Sequence, residues 1–82
     1  MSDAWRWEYD PDAAHVVGGL PPHIVTEVER LAHELAVLGR DATEVGAGHR
    51  LRNLPFLDVG LLYFLPVPSQ QLIAVVNVTW AG

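Results

Sequence analysis

The sequence predicts an α+β fold, two N-terminal helices packed on an antiparallel β-sheet in the order β-α-α-β-β-β. Three observations predict it. The first residues alternate aromatic with polar side chains, residues 22–38 carry an apolar stripe at helical spacing, and everything beyond Gly39 breaks into short β-prone runs between Gly and Pro. At 82 residues the chain makes one domain, residues 1–82. A chain of this size buries only about 60–65% of its unfolded surface and has nothing left for a second core.

Trp5, Trp7 and Tyr9 alternate with Ala4, Arg6 and Glu8, a period of two that marks the first strand with its aromatic side inward. Asp10-Pro11 then offers an N-cap and a proline at the first helical position, where a missing N–H costs nothing. Ala13, Val16, Val17 and Leu20 follow at helical spacing, and Gly18-Gly19 with Pro21-Pro22 end this short helix. The second helix spans Pro22 to Leu38. Ile24, Val28, Leu31, Ala32, Leu35 and Leu38 form its apolar stripe, while Glu27, Arg30 and Glu34 form a solvated face of ion pairs. Gly39 supplies the stop.

Three strands are expected beyond Gly39: Glu44 to Asn53, alternating weakly around Gly46 and Gly48; Val59 to Leu65; and Leu72 to Trp80. Pro66-Val-Pro-Ser reads as the turn that joins the last two in a hairpin. In the final run Asn77 and Thr79 point one way, and Ala74, Val76, Val78 and Trp80 the other. The first strand must pair with a later one, since it cannot make a sheet alone.

Composition bounds the function. Half of the residues are apolar, so a small domain leaves apolar side chains for another chain to cover, and a dimer or an obligate partner is expected. Cysteine is absent, which removes disulfides and thiolate metal sites. The N-terminal stretch has no basic region followed by an apolar core, and the longest apolar run, Leu72 to Val76, is too short for a bilayer; a soluble, cytoplasmic protein without a membrane partner is expected.

The formal charge of −5 repels nucleic acid at long range, so any contact with phosphate depends on a local patch. Residues 40–52 offer one: Arg40, His49, Arg50 and Arg52, of a total of five arginines and no lysine, partly offset by Asp41 and Glu44. On a regular strand Arg50 and Arg52 share a face and His49 points to the other. Cleavage of RNA needs a group that accepts the 2′-hydroxyl proton and a cation on the phosphate oxygens; His49 is the candidate base and Arg50 and Arg52 the candidate cations.

Other constellations point to structure. His15, His23 and His33 lack the helical spacing and carboxylate of a zinc motif and read as surface or capping residues. Ser2 and Ser69 lie in a terminus and a turn without the surroundings of a nucleophile. Gly46-x-Gly48 lacks the lysine and following helix of a phosphate loop and reads as a bend. Trp5, Trp7 and Trp80 read as core or interface. No cofactor and no metal are implied.

Several motifs together resemble one family. Trp7-x-Tyr9-x-Pro11-x-Ala13-Ala14, Leu20-Pro21 opening a helix that contains Leu31-Ala32, Leu51-Arg52, Gly60-x-x-Tyr63-Phe64 and a final strand with Ile73, Val75 and Val76 are similar to the RelE/ParE superfamily of bacterial toxins from toxin–antitoxin, or plasmid-stabilisation, operons. The resemblance runs nearly end to end. It implies two helices across a compact sheet, and a cognate antitoxin that wraps the toxin. RelE-like members cut messenger RNA on the ribosome, whereas ParE-like members inhibit DNA gyrase by binding. Arg52 sits where the family commonly has a basic residue after leucine. The chain departs from the pattern where Leu61-Leu62 follow Gly60, and in its Thr79-Trp80-Ala81-Gly82 ending, which supplies no His, Tyr, Lys or Arg.

Two readings follow: a toxin-like mRNA endonuclease centred on Arg50, Arg52 and His49, or a toxin-fold protein without chemistry that binds a partner or dimerises. Arg40, Arg50, Arg52 and Trp80 are the expected partner-binding residues.

Overall fold

The computed structural model describes residues 4–81, so Ser2, with the rest of residues 1–3, and Gly82 lie outside it. In chain order the elements are β1 (Arg6–Tyr9), α1 (Ala13–Val17), α2 (Pro22–Leu38), a 3₁₀ turn (Gly39–Glu44), β2 (Ala47–Gly48), β3 (Arg52–Phe56), β4 (Gly60–Val67), a second 3₁₀ turn (Pro68–Gln70) and β5 (Leu72–Trp80). The strands form one sheet in the order β1-β5-β4-β3-β2. The architecture is α+β, with a long helix and one five-stranded sheet.

The sheet is mixed, and the antiparallel expectation fails at β1. Neighbours from β2 to β5 are antiparallel, but β1 runs parallel to β5, with Trp7 opposite Ile73 and Tyr9 opposite Val75. A parallel pair needs a long crossover, which the helices and the three strands between β1 and β5 provide. The expected Glu44–Asn53 strand also divides. Gly46 (φ +77°) and Gly48 (φ +109°) turn the backbone through the left-handed region, so β2 has two residues, a turn follows, and β3 begins at Arg52.

The N-terminal helix starts two residues later than its sequence suggests. Asp12, not Asp10, is the N-cap: its carboxylate accepts from the His15 N–H at 2.9 Å, and His15 Nδ1 lies 2.8 Å from the same oxygen. These bonds to His15 hold the Asp12 carboxyl below its ordinary range. For α2 the expected bounds, Pro22 and Leu38, are those observed. Its Arg30 donates to Glu27 (2.9 Å) and Glu34 (2.6 Å) on the exposed face. Ile24, Val28, Ala32 and Leu35 are buried as the stripe requires, while Leu31 is half-buried and Leu38 exposed.

Gly39 ends α2 at φ +60° and ψ −124°, its N–H reaching back to the carbonyls of Leu35 and Ala36. A Cβ there would approach the Trp5 ring to 3.2 Å. Gly39→Ala is therefore expected to lower stability by about 1–3 kcal/mol in urea unfolding, since the backbone strain adds to the displacement of Trp5.

One buried cluster holds the fold. Val16 and Val17 of α1 and Ile24, Val28, Ala32, Leu35 and Ala36 of α2 share it with Phe56, Leu62, Phe64, Ile73, Val75 and Val78 of the sheet. Tyr9 ties β1 to α2 through a 2.9 Å hydrogen bond from its hydroxyl to Glu29; burial and this carboxylate raise the phenol above its usual range.

Within the β4–β5 hairpin, Tyr63 faces Asn77 and Phe64 faces Val75, so Val76 is an extra residue. This bulge reverses the alternation of β5. Ile73, Val75 and Val78 therefore belong to the core cluster, and Ala74 does not share the face of Val78 as a regular strand would require. Asn77 and Thr79 are exposed, as expected. The turn is shifted as well. Pro66 and Val67 extend β4, opposite Ile73 and Leu72, and the chain reverses at Pro68–Gln70 with Gln71 left-handed at φ 50°.

Backbone bonding alternates along each strand, and it places Pro55 and Pro66 where proline costs no ladder bond. The register joins Arg52, Leu54 and Phe56 of β3 to Phe64, Leu62 and Gly60 of β4, so Pro55 turns its nitrogen to the outer side of the sheet. Pro66 turns its nitrogen the other way from β5, beyond the point where β3 has ended. No helix of the described residues is long and apolar enough to cross a membrane.

Candidate cationic groove

At the end of the sheet where β4 outruns β3, an open groove of about 750 Å³ forms between the β2–β3 turn and the β4–β5 turn. Its origin is local. Pro66 cannot donate the N–H that would continue the ladder, so the chain opposite it, at His49 and Arg50, stays out of the sheet as a turn. Thr43, His49, Arg50, Arg52, Pro66 and Ser69 are among the lining residues, and none of the lining residues is a carboxylate.

The three residues expected to carry chemistry therefore line one concavity, but not as a strand would arrange them. Arg50 lies in the turn and Arg52 at the start of β3, so they do not share a strand face. The same turn removes the alternation that would separate His49 from Arg50, and both reach the groove.

Arg52 differs from its neighbours in what it already holds. Its guanidinium donates to the carbonyls of Val45 (2.6 Å), Gly46 (2.9 Å), Gly48 (2.9 Å) and His49 (3.1 Å). One fork of planar donors closes the whole β2–β3 loop. The side chain shares the face of Phe64, its partner across the strands, and is half-buried. Arg50 and His49 are exposed.

The expected partner-binding set does not form one surface. Arg40 lies on the first 3₁₀ turn, where its carbonyl accepts from Thr43 Oγ1 at 2.8 Å, and it lines a separate hollow with Trp5 and Asp41. Trp80 pairs with Gly60 at the opposite end of β4 from Pro66, about 20 Å along the strand. There it is half-buried and meets His23 edge-on, with ring centroids 6.4 Å apart. The antiparallel run from β4 to β5 sends the chain's end away from the groove.

Among the described residues no three His, Asp or Glu side chains cluster as a metal site would require. Thr43 is a lining residue that sequence reasoning did not single out, and Ser69 is one that it set aside as a turn residue; the signal of both was weak. Pro66 is the stronger clue, since a proline inside an apolar β-run marks the place where a neighbouring strand must stop.

The chain matches no family model, no curated protein and no solved structure.

Proposed function

We propose that this chain is the toxin-like component of a bacterial toxin–antitoxin pair, with a RelE/ParE-like arrangement of two N-terminal helices on its sheet, and that it works as a protein-binding module. Its partner is the cognate antitoxin, which lays an acidic segment in the groove. The observation that carries this reading is the four-carbonyl clamp of Arg52. A guanidinium spent on its own loop leaves Arg50 and His49 to receive a ligand, enough for a carboxylate and short of the several cations that carry a phosphate chain. The absence of carboxylates from the lining of a groove on a chain of net charge −5 supports the same occupant.

The test is co-expression with the product of the neighbouring reading frame. The two proteins are expected to copurify, that product is expected to relieve any growth arrest caused by this chain alone, and Arg50→Glu should weaken the complex about tenfold at low salt. Failure to copurify, together with growth unaffected by the chain alone, would refute the reading.

A second reading, RNA cleavage on the ribosome, is favoured by the meeting of His49, Arg50 and Arg52 in one groove. It predicts specific cuts in ribosome-bound mRNA that disappear in His49→Ala, and RNA affinity that falls steeply with salt.

A further inference from the structure

Among the described residues, the open side of the sheet is β1. Its inward backbone groups are taken by β5: the Arg6 N–H donates to Gln71 at 3.0 Å and the Asp10 N–H to Val75 at 2.9 Å. In a parallel ladder the alternate residues face outward, so Trp7 and Tyr9 present their N–H and C=O groups to the free edge. Arg6 and Glu8 are exposed, while Trp7 and Tyr9 turn half-buried rings toward the core. We propose that this edge is a self-association surface: a second copy adds its own β1 antiparallel, with the two-fold axis at Trp7.

The register is written in the charges. In antiparallel pairing about Trp7, residues equally far before and after Trp7 face one another across the axis. Trp7 then exchanges two backbone hydrogen bonds with Trp7 of the second copy, and the outward slots of both strands meet. Arg6 falls opposite Glu8 of the second copy, and Glu8 opposite its Arg6. These are the non-hydrogen-bonded pairs, where cross-strand side chains approach most closely and opposite charges attract. A shift of the register by two residues keeps the outward slots matched but sets Arg6 against Arg6, or Glu8 against Glu8. A shift by one brings inward slots to the edge. The edge is thus complementary to itself in one register, both in hydrogen bonding and in charge.

The surroundings fit this occupant. A groove of about 570 Å³ runs beside the edge between β1 and α2, lined by Trp5, Trp7, His33, Ala36 and Val37 among others. Val37 is 73% exposed, the largest value among the exposed large apolar side chains of the described residues. A two-fold axis normal to the sheet brings the second copy's α2 to the same side, so Val37 lies at the border that the dimer covers. Two sheets of five strands become one of ten. The groove at Pro66 lies two strands away, across β5 from Trp7, and pairing through β1 does not depend on what the groove binds.

Sedimentation of the full chain from micromolar to several hundred micromolar tests it, with Arg6→Glu, Glu8→Arg and the double exchange. Both side chains are exposed, and the Arg6 hydrogen bond to the Gln70 carbonyl is a surface contact, so circular dichroism should show all variants folded. The wild-type chain is expected to form a reversible dimer, and each single variant to weaken it about tenfold or more, because two attractions become two repulsions. An equimolar mixture of the two single variants, and the double exchange alone, should recover the dimer. Single-chain mass throughout the range, single variants that dimerise as well as wild type, or a mixture that stays monomeric would each overturn the proposal.

Discussion

Phe64→Ala is expected to bring the protein close to unfolding. The ring is fully buried, pairs with Val75 beside the bulge, and shares the core with residues of both helices. Truncating such a ring costs about 3–5 kcal/mol, a transfer loss plus a cavity that the surrounding sheet cannot close. Domains of this size are stable by only about 5–10 kcal/mol, so the melting temperature should fall by about 15–30 °C. Phe64→Leu, which keeps most of the volume, should cost much less, and Val37→Ala, at an exposed site, should lie within about 0.5 kcal/mol of wild type. Thermal unfolding followed by circular dichroism checks all three.

Arg52→Ala carries the second large effect, and it separates structure from function in the groove. Four carbonyls lose their donor at once, including that of Val45 in the half-buried part of the loop. Hydrogen bonds from a charged donor are each worth about 1.5–3 kcal/mol; most of these four are open to water and they share one guanidinium, so the expected total is about 2–3 kcal/mol. Lysine should recover less than half of it, because a single ammonium cannot span carbonyls that a planar fork reaches together. Amide exchange should quicken from Val45 to Arg52. Arg50→Ala should leave stability within about 0.5 kcal/mol. Equal losses of stability in the two alanine variants would show that Arg52 is no clamp.

Much of the fold was legible because periodicity is a direct record of burial. The aromatic alternation of Trp5, Trp7 and Tyr9 marked β1, and the stripe from Ile24 to Leu35 marked α2 with its ends. What the periodicity did not carry was direction and phase. Nothing in Arg6–Tyr9 states whether its neighbour runs parallel, since that depends on a crossover through most of the chain. The extra residue at Val76 exchanges the two faces of β5, yet a bulge in an apolar run leaves no break in composition. Asp10 and Asp12 are both good caps before a helix, and only the backbone selects between them. The groove was half legible. His49, Arg50 and Arg52 stood out as a cluster in an acidic chain, but the strand on which they were expected gives way to two left-handed glycines, and an arginine that binds its own backbone has the same letter as one that waits for a ligand.

The two sides of the sheet are not equivalent, and Pro55 is the reason that matters most. Beyond the two residues of β2, the outer border of β3 offers an incoming chain a nitrogen without hydrogen, while the opposite border keeps its donors. Growth by strand addition is therefore one-sided. In the dimer proposed above, two molecules joined through their β1 borders would leave the Pro55 borders outward, so assembly would terminate at two and not propagate into a fibre.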